Sequence, residues 1–396
     1  MDESPRGAGR GAPGRVGSRR QPMQPAFISA EIYRATGYSG NHPLAIARVG
    51  TVMTLCEMLR WFTPATPCLP SPEASLEEIL RFHDRPYVCA LLRAEAQGRA
   101  SDEARARFNI GTLENPVFPG LFQRAATSVG GSILAARHAL AHGIAYHPAG
   151  GTHHGMPGRA NGFCFFNDPV FAILTLLDAG LDRVLYIDLD AHHGDGVEAA
   201  FAADPRVMTI SVHEQDRWPY TGRLDDRAGG MARNLPVPRE MNDSEFDTLL
   251  DAAVLPLAHR FAPQAVVLTC GADALRGDPL SSLALSNRAL LDGVMRLTQV
   301  APHTVVLGGG GYNPWTVARF WTALWGRIAG YPLPDRLPPE AQALLGSLDC
   351  DLVEEEDRDA AWFTTLIDTR NDGTIRDRFG QIATAALAPG AKTKAA

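Results

Sequence analysis

Residues 184–195 have the sequence VLYIDLDAHHGD, and this stretch decides the fold. Its first part, Val184–Asp190, is a mostly apolar run that ends in acidic residues. A continuous apolar run without alternation is typical of a strand buried on both faces, as in a parallel sheet. Ligands of such sheets bind beyond the carboxyl ends of the strands. The stretch therefore predicts a buried parallel strand that is followed directly by a functional site.

Similar short apolar runs recur along the chain, at Ala26–Ser29, Ile144–His147, Val207–His213, Ala265–Cys270 and Thr304–Leu307. Amphipathic helical patterns lie between them. Alternation of strands and helices over roughly 300 residues predicts a parallel sheet that helices cover on both faces. We therefore predict an α/β fold of three layers, αβα, with a central and mostly parallel sheet.

The ends of the predicted helices are marked by capping residues. The clearest helix has Asp168 as its N-cap and Pro169 at its first position, and it stops at Gly180. Three further helices are predicted. One ends at Gly143, one runs from a cap near Ser244 (with Asp247 three residues on) to about Arg260, and one begins at a Ser286 cap.

Composition excludes several classes of protein. The 396 residues are 45% hydrophobic and 20% charged, so they can bury the core of one large α/β domain or two ordinary ones. A net charge of −7 and a pI of about 5.9 argue against a nucleic-acid or anionic-membrane partner. The chain contains no run of about 18 consecutive apolar residues, so the sequence predicts no membrane span. The six cysteines form no C-x-x-C pair, which argues against a thiolate zinc site and against a disulfide framework. Free cysteines fit a reduced, cytoplasmic setting.

The two ends of the chain differ in composition from the main domain, which we expect over residues 26–340. Residues 1–25 are rich in Gly, Pro and Arg without a secretory apolar run. They predict a disordered tail, or a start codon placed too early, rather than a transit peptide. Residues 64–72 predict a proline-rich loop. Residues 341–396 turn acidic and end in small residues and Lys, which predicts a partly disordered C-terminal extension.

The quoted stretch places three polar side chains on one side of an extended chain. Alternate side chains of a strand face the same way, so Asp188, Asp190 and His192 share a face. Such groups at the end of a buried strand are costly unless they are paired or bind a metal. An Asp and a His two residues apart can reach one ion. The alternative is a polar strand end that caps the next helix.

A second acidic group follows the strand Ala265–Cys270. Asp273 can complete a three-ligand zinc site with an open position, which marks a catalytic zinc. A helix N-cap is the alternative, and Gly271 supplies the sharp turn that either structure needs.

A tandem histidine pair, His153-His154, follows the strand Ile144–His147 in the segment GGTHHG, residues 150–155. The pair can be two exposed surface residues without a chemical role. It can also perform acid–base chemistry if carboxylates orient the rings, and Asp188 and Asp195 are available for that.

Four glycines and a tyrosine, GGGGY at residues 308–312, follow the last predicted strand. No Lys-Ser/Thr follows and the spacing is not G-x-G-x-x-G, which argues against a phosphate-binding loop. Glycines also let the backbone approach a ligand closely. Tyr312 would then lie at the mouth of the site, where its hydroxyl can donate to a developing oxyanion.

In this order the four motifs resemble those of the arginase/deacetylase superfamily, and within it the histone deacetylases and the bacterial acetoin-utilisation deacetylases. Further matching segments are Asn109-Ile-Gly, Pro116-Val-Phe, Gly162–Asp168 and His42-Pro43 with Arg48. The resemblance covers roughly residues 26–335. It implies an arginase/deacetylase-like fold and a metal-dependent amidohydrolase that releases a free amine and a carboxylate from an N-acyl lysine or a related acylated amine.

The resemblance also implies a role for each matching residue. The metal ligands, for zinc or alternatively ferrous iron, would be Asp190, His192 and Asp273. The catalytic group would comprise His153, His154, Asp188, Asp195 and Tyr312. His154, held by Asp195, would be the main general base and acid, with electrostatic support from His153, held by Asp188. Tyr312 would polarise the acyl carbonyl.

Substrate and cation positions are implied in the same way. Gly151, Phe163 and Leu280 match positions of the acyl-lysine tunnel, and Arg48 matches an arginine of the channel through which the acid leaves. A structural K⁺ or Na⁺ would be bound by Asp188, Asp190, His192, Ser211 and Val212. Three segments depart from the family. Before the histidine pair, His147-Pro-Ala-Gly-Gly stands in place of a Trp-containing segment. Glu114 replaces the aspartate that grips the substrate backbone, and Trp218-Pro219-Tyr220 replaces Phe-Pro-Gly in a tunnel wall.

Because of these departures the sequence does not decide between acylated protein lysines and acetylated polyamines as substrate, and it leaves the length of the acyl group open. Acetylated polyamines would make the protein an acetylpolyamine amidohydrolase. Two other classes share the fold. A ureohydrolase would need two manganese ions and more carboxylates than these motifs contain. A catalytically silent acyl-lysine binder would have no need of His153, His154 and Tyr312 together. The sequence leaves the oligomeric state open.

Overall fold

The computed structural model describes residues 24–38 and 40–388. The strands are β1 Ala26–Ser29, β2 Cys68–Pro70, β3 Ile144–His147, β4 Val184–Asp188, β5 Val207–Glu214, β6 Ala232–Val237, β7 Ala265–Thr269 and β8 His303–Leu307. Within the described residues they form one eight-stranded sheet in the order β2-β1-β3-β8-β7-β4-β5-β6, and all neighbours are parallel.

The helices connect these strands and lie around the sheet. The α-helices are α1 Val49–Met58, α2 Leu76–Ile79, α3 Arg85–Gln97, α4 Asp102–Phe108, α5 Leu121–His142, α6 Asp168–Asp178, α7 Asp195–Phe201, α8 Asp243–Leu249, α9 Leu255–Phe261, α10 Asn287–Leu297, α11 Pro314–Ile328, α12 Pro339–Gly346 and α13 Asp377–Leu387. A π-helical segment, Leu250–Val254, joins α8 to α9. Short 3₁₀ helices lie at Glu31–Tyr33, Ala228–Gly230, Ala272–Ala274, Glu355–Asp357 and Ala360–Phe363. The prediction of an αβα fold with a parallel sheet is confirmed.

All six predicted strands form, with small shifts at their ends. The strand predicted to end at Asp190 ends at Asp188, because the backbone N–H of Asp190 donates to Asp188 Oδ1 (3.1 Å). The sequence does not predict two edge strands. β2 lies inside the segment 64–72 expected to be a loop, and β6 contains Pro236. Proline is tolerated at sheet edges because no neighbour needs its missing N–H, so a proline does not exclude an edge strand.

Two predicted helix caps are wrong by one or two residues. Asn167, not Asp168, caps α6, and its side chain accepts from the N–H of Val170. Asn242, not Ser244, caps α8 and forms a capping box with Glu245. The caps expected at Ser286 and the helix end at Gly143 are confirmed.

The C-terminal segment packs on the same core as the sheet. Leu345, Trp362 and Phe379 are buried in one hydrophobic cluster with residues of β4, β7 and α11. The expected tail at 1–25 and the end of the extension lie largely outside the described residues, so those domain boundaries stay predictions. None of the described helices has the length and apolarity needed to cross a bilayer. The cytoplasmic location likewise stays a prediction.

Candidate active site and metal centre

The four motifs converge because their strands are neighbours. β3, β8, β7 and β4 are adjacent at the centre of the sheet, and each is followed by one motif. The carboxyl ends of parallel strands meet at one edge of the sheet. The structure therefore brings together residues that lie up to about 160 positions apart in the chain.

Asp190, His192 and Asp273 form a buried triplet that can hold a metal ion. One ligand atom from each side chain lies within 4.8 Å of the others. His192 Nδ1 is 3.2 Å from Asp190 Oδ1 and 2.9 Å from Asp273 Oδ2. Burial alone would lower the pKa of His192, but the two carboxylates outweigh burial and raise it to about 10. Two carboxylates and one imidazole this close together are a donor set suited to a divalent cation.

Glycines make room for this triplet. A Cβ atom at Gly271 or Gly310 would collide with the carboxylates of Asp190 and Asp273. Gly271 has φ −60°, so the expected sharp turn is not the reason for glycine there. Close approach to the carboxylates is the reason. Gly309 and Gly311, with φ of 141° and 132°, do require the conformational freedom of glycine.

The histidine pair is buried beside the triplet, and each ring faces its own carboxylate. His153 Nδ1 is 2.6 Å from Asp188 Oδ2, and His154 Nδ1 is 2.7 Å from Asp195 Oδ1. Burial opposes a charge on His153, but nearby carboxylates, Asp188 first, raise its pKa to about 9. Burial and the adjacent His153 lower the pKa of His154 to about 4. At neutral pH the two rings therefore carry different charges, and His154 is the neutral one.

Tyr312 lies beside the metal-ligand triplet. Its ring contacts Phe163 edge-on, with centroids 5.8 Å apart, and lies 6.4 Å from the His192 ring. Burial and the carboxylate of Asp273 keep the pKa of Tyr312 above its ordinary value, so the hydroxyl keeps its proton.

A cavity of about 780 Å³ opens from the triplet. It is lined by His154, His192, Tyr312, Glu114, Phe163, Trp218 and Leu280, among others. Trp218 stands edge-on to His154 with centroids 4.6 Å apart, so the indole forms a wall against the proposed base. Gly151 lies nearby with φ 92°, where a Cβ atom would meet the backbone of Gly309.

Glu114 reaches the cavity with both of its oxygens already engaged. Oε1 accepts from the N–H of Gly162 (2.5 Å), and Oε2 accepts from Asn109 Nδ2 (2.9 Å). Gly162 precedes Phe163, and both have positive φ. A carboxylate has about four lone-pair sites, so Glu114 retains acceptor capacity toward the cavity.

Arg48 lines a second, smaller cavity of about 130 Å³, which shares Phe163 with the first. Its Nη2 donates to the carbonyl of Gly309, and the guanidinium lies over the Trp321 ring at 4.8 Å. The Nε atom is buried without a hydrogen-bond partner. A buried donor left in this way is suited to an anionic ligand.

Of the predicted monovalent-cation residues, Ser211 and Val212 lie in β5, and Ser211 stands opposite Asp188 in the β4–β5 register. The Ser211 hydroxyl is 2.9 Å from His213 Nδ1. The cation itself stays a prediction.

Two positioning residues escape the sequence analysis. Asp168, predicted as a cap, instead accepts from the backbone N–H groups of Gly151 (3.1 Å) and Thr152 (2.7 Å), which fixes the loop that carries the histidine pair. Tyr186 donates to Asp188 Oδ2 (2.7 Å) and so orients the partner of His153. Tyr186 stands two residues before Asp188 in a strand, and this same-face spacing is the only signal for its role.

The fold and the site together define an arginase/deacetylase-like α/β protein with a candidate Asp–His–Asp metal centre. A family model described as the histone deacetylase domain matches residues 42–328, well over half of the chain. The chain belongs to the histone deacetylase family.

Individual relatives agree with this assignment. The chain is 37% identical over 349 residues to "Histone deacetylase 1" of Oryza sativa subsp. japonica, covering 86% of this chain and 66% of that protein. It is 34% identical over 330 residues to "Acetoin utilization protein AcuC" of Bacillus subtilis (strain 168), covering 79% and 84%. The chain thus spans about two thirds of the rice relative and most of the bacterial one.

Solved structures agree as well. The crystal structure of an HDAC homolog from Aquifex aeolicus matches with a TM-score of 0.87 and 34% identity, covering 92% of this chain and 100% of that chain. An HDAC homolog complexed with SAHA matches with a TM-score of 0.86 and 33% identity, covering 93% and 100%.

Proposed function

We propose that the chain is a zinc-dependent deacylase that hydrolyses the amide of an N-acyl lysine or a related acylated amine to the free amine and a carboxylate. One observation carries the proposal: the triplet of potential metal ligands and the two His–Asp pairs lie together beside one cavity, which His154, His192 and Tyr312 line. Membership of the histone deacetylase family supports the same reaction class.

The donor set fits zinc, since two carboxylates and one imidazole leave a coordination position open. Ferrous iron is the alternative for so oxygen-rich a set. When bound, the metal would polarise the acyl carbonyl and lower the pKa of water. Among the described residues this is the one such cluster found, which gives no support to a two-metal ureohydrolase.

Proton transfer falls to the histidine pair. His154 is neutral at pH 7 with Nδ1 held by Asp195, so its Nε2 can accept a proton from the attacking water. His154 then passes that proton to the leaving amine nitrogen as the amide C–N bond breaks. His153, charged and held by Asp188, stabilises the negative charge that develops beside it. The Tyr312 hydroxyl donates to the same oxyanion.

The tunnel supports an acyl group on an aliphatic stem. Phe163, Trp218 and Leu280 line the cavity and present apolar walls to such a stem. The unpartnered Arg48 Nε at the second cavity suits the carboxylate product. The proposed structural K⁺ or Na⁺ near Asp188 would stabilise the loop that carries the ligands.

Small acylated amines are the second candidate substrate. The observation that favours them is that Glu114 already accepts two hydrogen bonds within the chain, which leaves less capacity for a peptide backbone. Acylated peptides and acetylated polyamines therefore have to be compared directly.

Metal dependence tests the proposal. Chelator-treated protein should lose turnover of an acyl-lysine peptide panel and of acetylated polyamines, and regain it with about one equivalent of Zn²⁺ or Fe²⁺ per chain. Retention of full activity without metal would contradict the proposal, as would a need for two ions per chain.

A further inference from the structure

A single buried carboxylate bridges the two loops that carry Tyr312 and Leu280. Asp278 is 6% exposed. Its Oδ2 accepts from the backbone N–H of Tyr312 (2.7 Å), and its Oδ1 accepts from the backbone N–H of Leu280 (2.9 Å). Asp278 belongs neither to the metal-ligand triplet nor to the two His–Asp pairs.

A second bond connects the same two loops. Asn313 Nδ2 donates to the carbonyl of Gly277 (2.9 Å), while Asn313 Oδ1 caps α11 by accepting from Trp315 and Thr316. The loop that contains Asp278 is thereby fixed to the beginning of a buried helix. Asp278 consequently has a rigid frame from which to hold its two partners.

The chain before Tyr312 has no side chains of its own to anchor it. Four glycines precede it, and two of them adopt φ values that are open to glycine. An oxyanion donor has to be held within about 0.5 Å of its productive position. The charge-assisted bond from the backbone N–H of Tyr312 to Asp278 fixes the residue directly after the glycine run.

We propose that Asp278 is a positioning residue that holds the Tyr312 hydroxyl and the tunnel wall at Leu280 in a fixed position relative to each other. The inference rests on the proposed function in so far as Tyr312 serves as the oxyanion donor. Asp278 acts through its two backbone partners and does not itself touch the substrate.

The first test is a double-mutant cycle of Asp278→Asn with Tyr312→Phe, followed by kcat on an acyl-lysine peptide. An asparagine oxygen can serve only one of the two N–H groups. We expect Asp278→Asn to lower kcat on the order of ten-fold, within the range of a lost charge-assisted hydrogen bond. In the Tyr312→Phe background it should lower kcat by less than about two-fold, because coupled residues are not additive.

Asp243 provides a matched control. It is also a fully buried carboxylate that bridges two backbone N–H groups, those of Ser286 (2.8 Å) and Asn371 (2.8 Å), but it lies away from the cavity. Asp243→Asn should lower the melting temperature and leave kcat unchanged in either background. Should Asp278→Asn not fold, Asp278→Glu, which keeps the charge and displaces the oxygens, enters the same cycle.

Amide hydrogen exchange gives a readout that does not need activity. Asp278→Asn should speed exchange in both 275–281 and 308–313, whereas Asp243→Asn should speed neither. Equal kcat losses in both Tyr312 backgrounds, or faster exchange in only one segment, would overturn the inference. An inactive wild-type protein would instead contradict the proposed function, and exchange would still decide whether Asp278 couples the loops.

Discussion

Replacing Tyr312 by phenylalanine should separate catalysis from folding. The hydrogen bonds that Tyr312 makes with the described part of the chain use its backbone, to Asp278 and Cys350. Its ring, which phenylalanine retains, supplies the packing against Phe163. Tyr312→Phe should therefore leave the free energy of unfolding within about 0.5 kcal/mol of wild type. Loss of one oxyanion donor should lower kcat by roughly 10²- to 10³-fold.

The matched control is Tyr146→Phe. The Tyr146 hydroxyl is fully buried and donates to the carbonyl of Trp321 (3.3 Å), away from the cavity. This variant should lose about 1 kcal/mol of stability and keep its kcat. Steady-state kinetics with an acyl-lysine peptide, together with urea unfolding, measure both quantities. Near-wild-type kcat for Tyr312→Phe on a good substrate would refute its role as the donor.

Two further variants test the base and the entrance. In Asp195→Asn the new amide N–H can turn toward His154 Nδ1, which lies 2.7 Å from a carboxylate oxygen in the wild type. This favours the wrong tautomer of His154 and should lower kcat by at least about 10²-fold. A loss below about three-fold would exclude the His154–Asp195 pair as the general base. Glu114→Ala should reduce kcat/KM for acyl-lysine peptides by roughly ten- to a hundred-fold, since charge-assisted bonds are lost, and should affect a minimal acetylated amine much less. Equal losses on both substrates would mean that Glu114 acts only by holding Gly162 and Phe163.

The fold could be predicted where the local pattern and the tertiary structure agree. β4 is apolar throughout and central in the sheet, so its sequence suffices. The edge strands β2 and β6 contain prolines, which local patterns associate with loops. The cap of α6 is ambiguous because Asn167 and Asp168 are both good capping residues. The distant loop at Gly151 engages the Asp168 carboxylate, and local sequence does not contain that contact.

The same limit applies to the site. The triplet and the histidine pair stand next to strand ends, and the structure brings them together as expected. Their chemical roles remain proposals. Asp278 gives no signal, because an aspartate before a proline in a polar segment is typical of an ordinary turn. Its importance depends on Tyr312, which lies 34 positions further along the chain.

The position of β8 has a consequence for the synthesis of the chain. β8 pairs with β3 on one side and with β7 on the other, so it fills the middle of the sheet although it is the last of the described strands to be made. Until the ribosome has released residues 303–307, β3 and β7 both present unpaired edges. Such edges are templates for aggregation and for association with other chains. A nascent chain of roughly 300 residues therefore exposes two strand edges that the finished chain covers, and the cavity cannot form in it before β8 arrives.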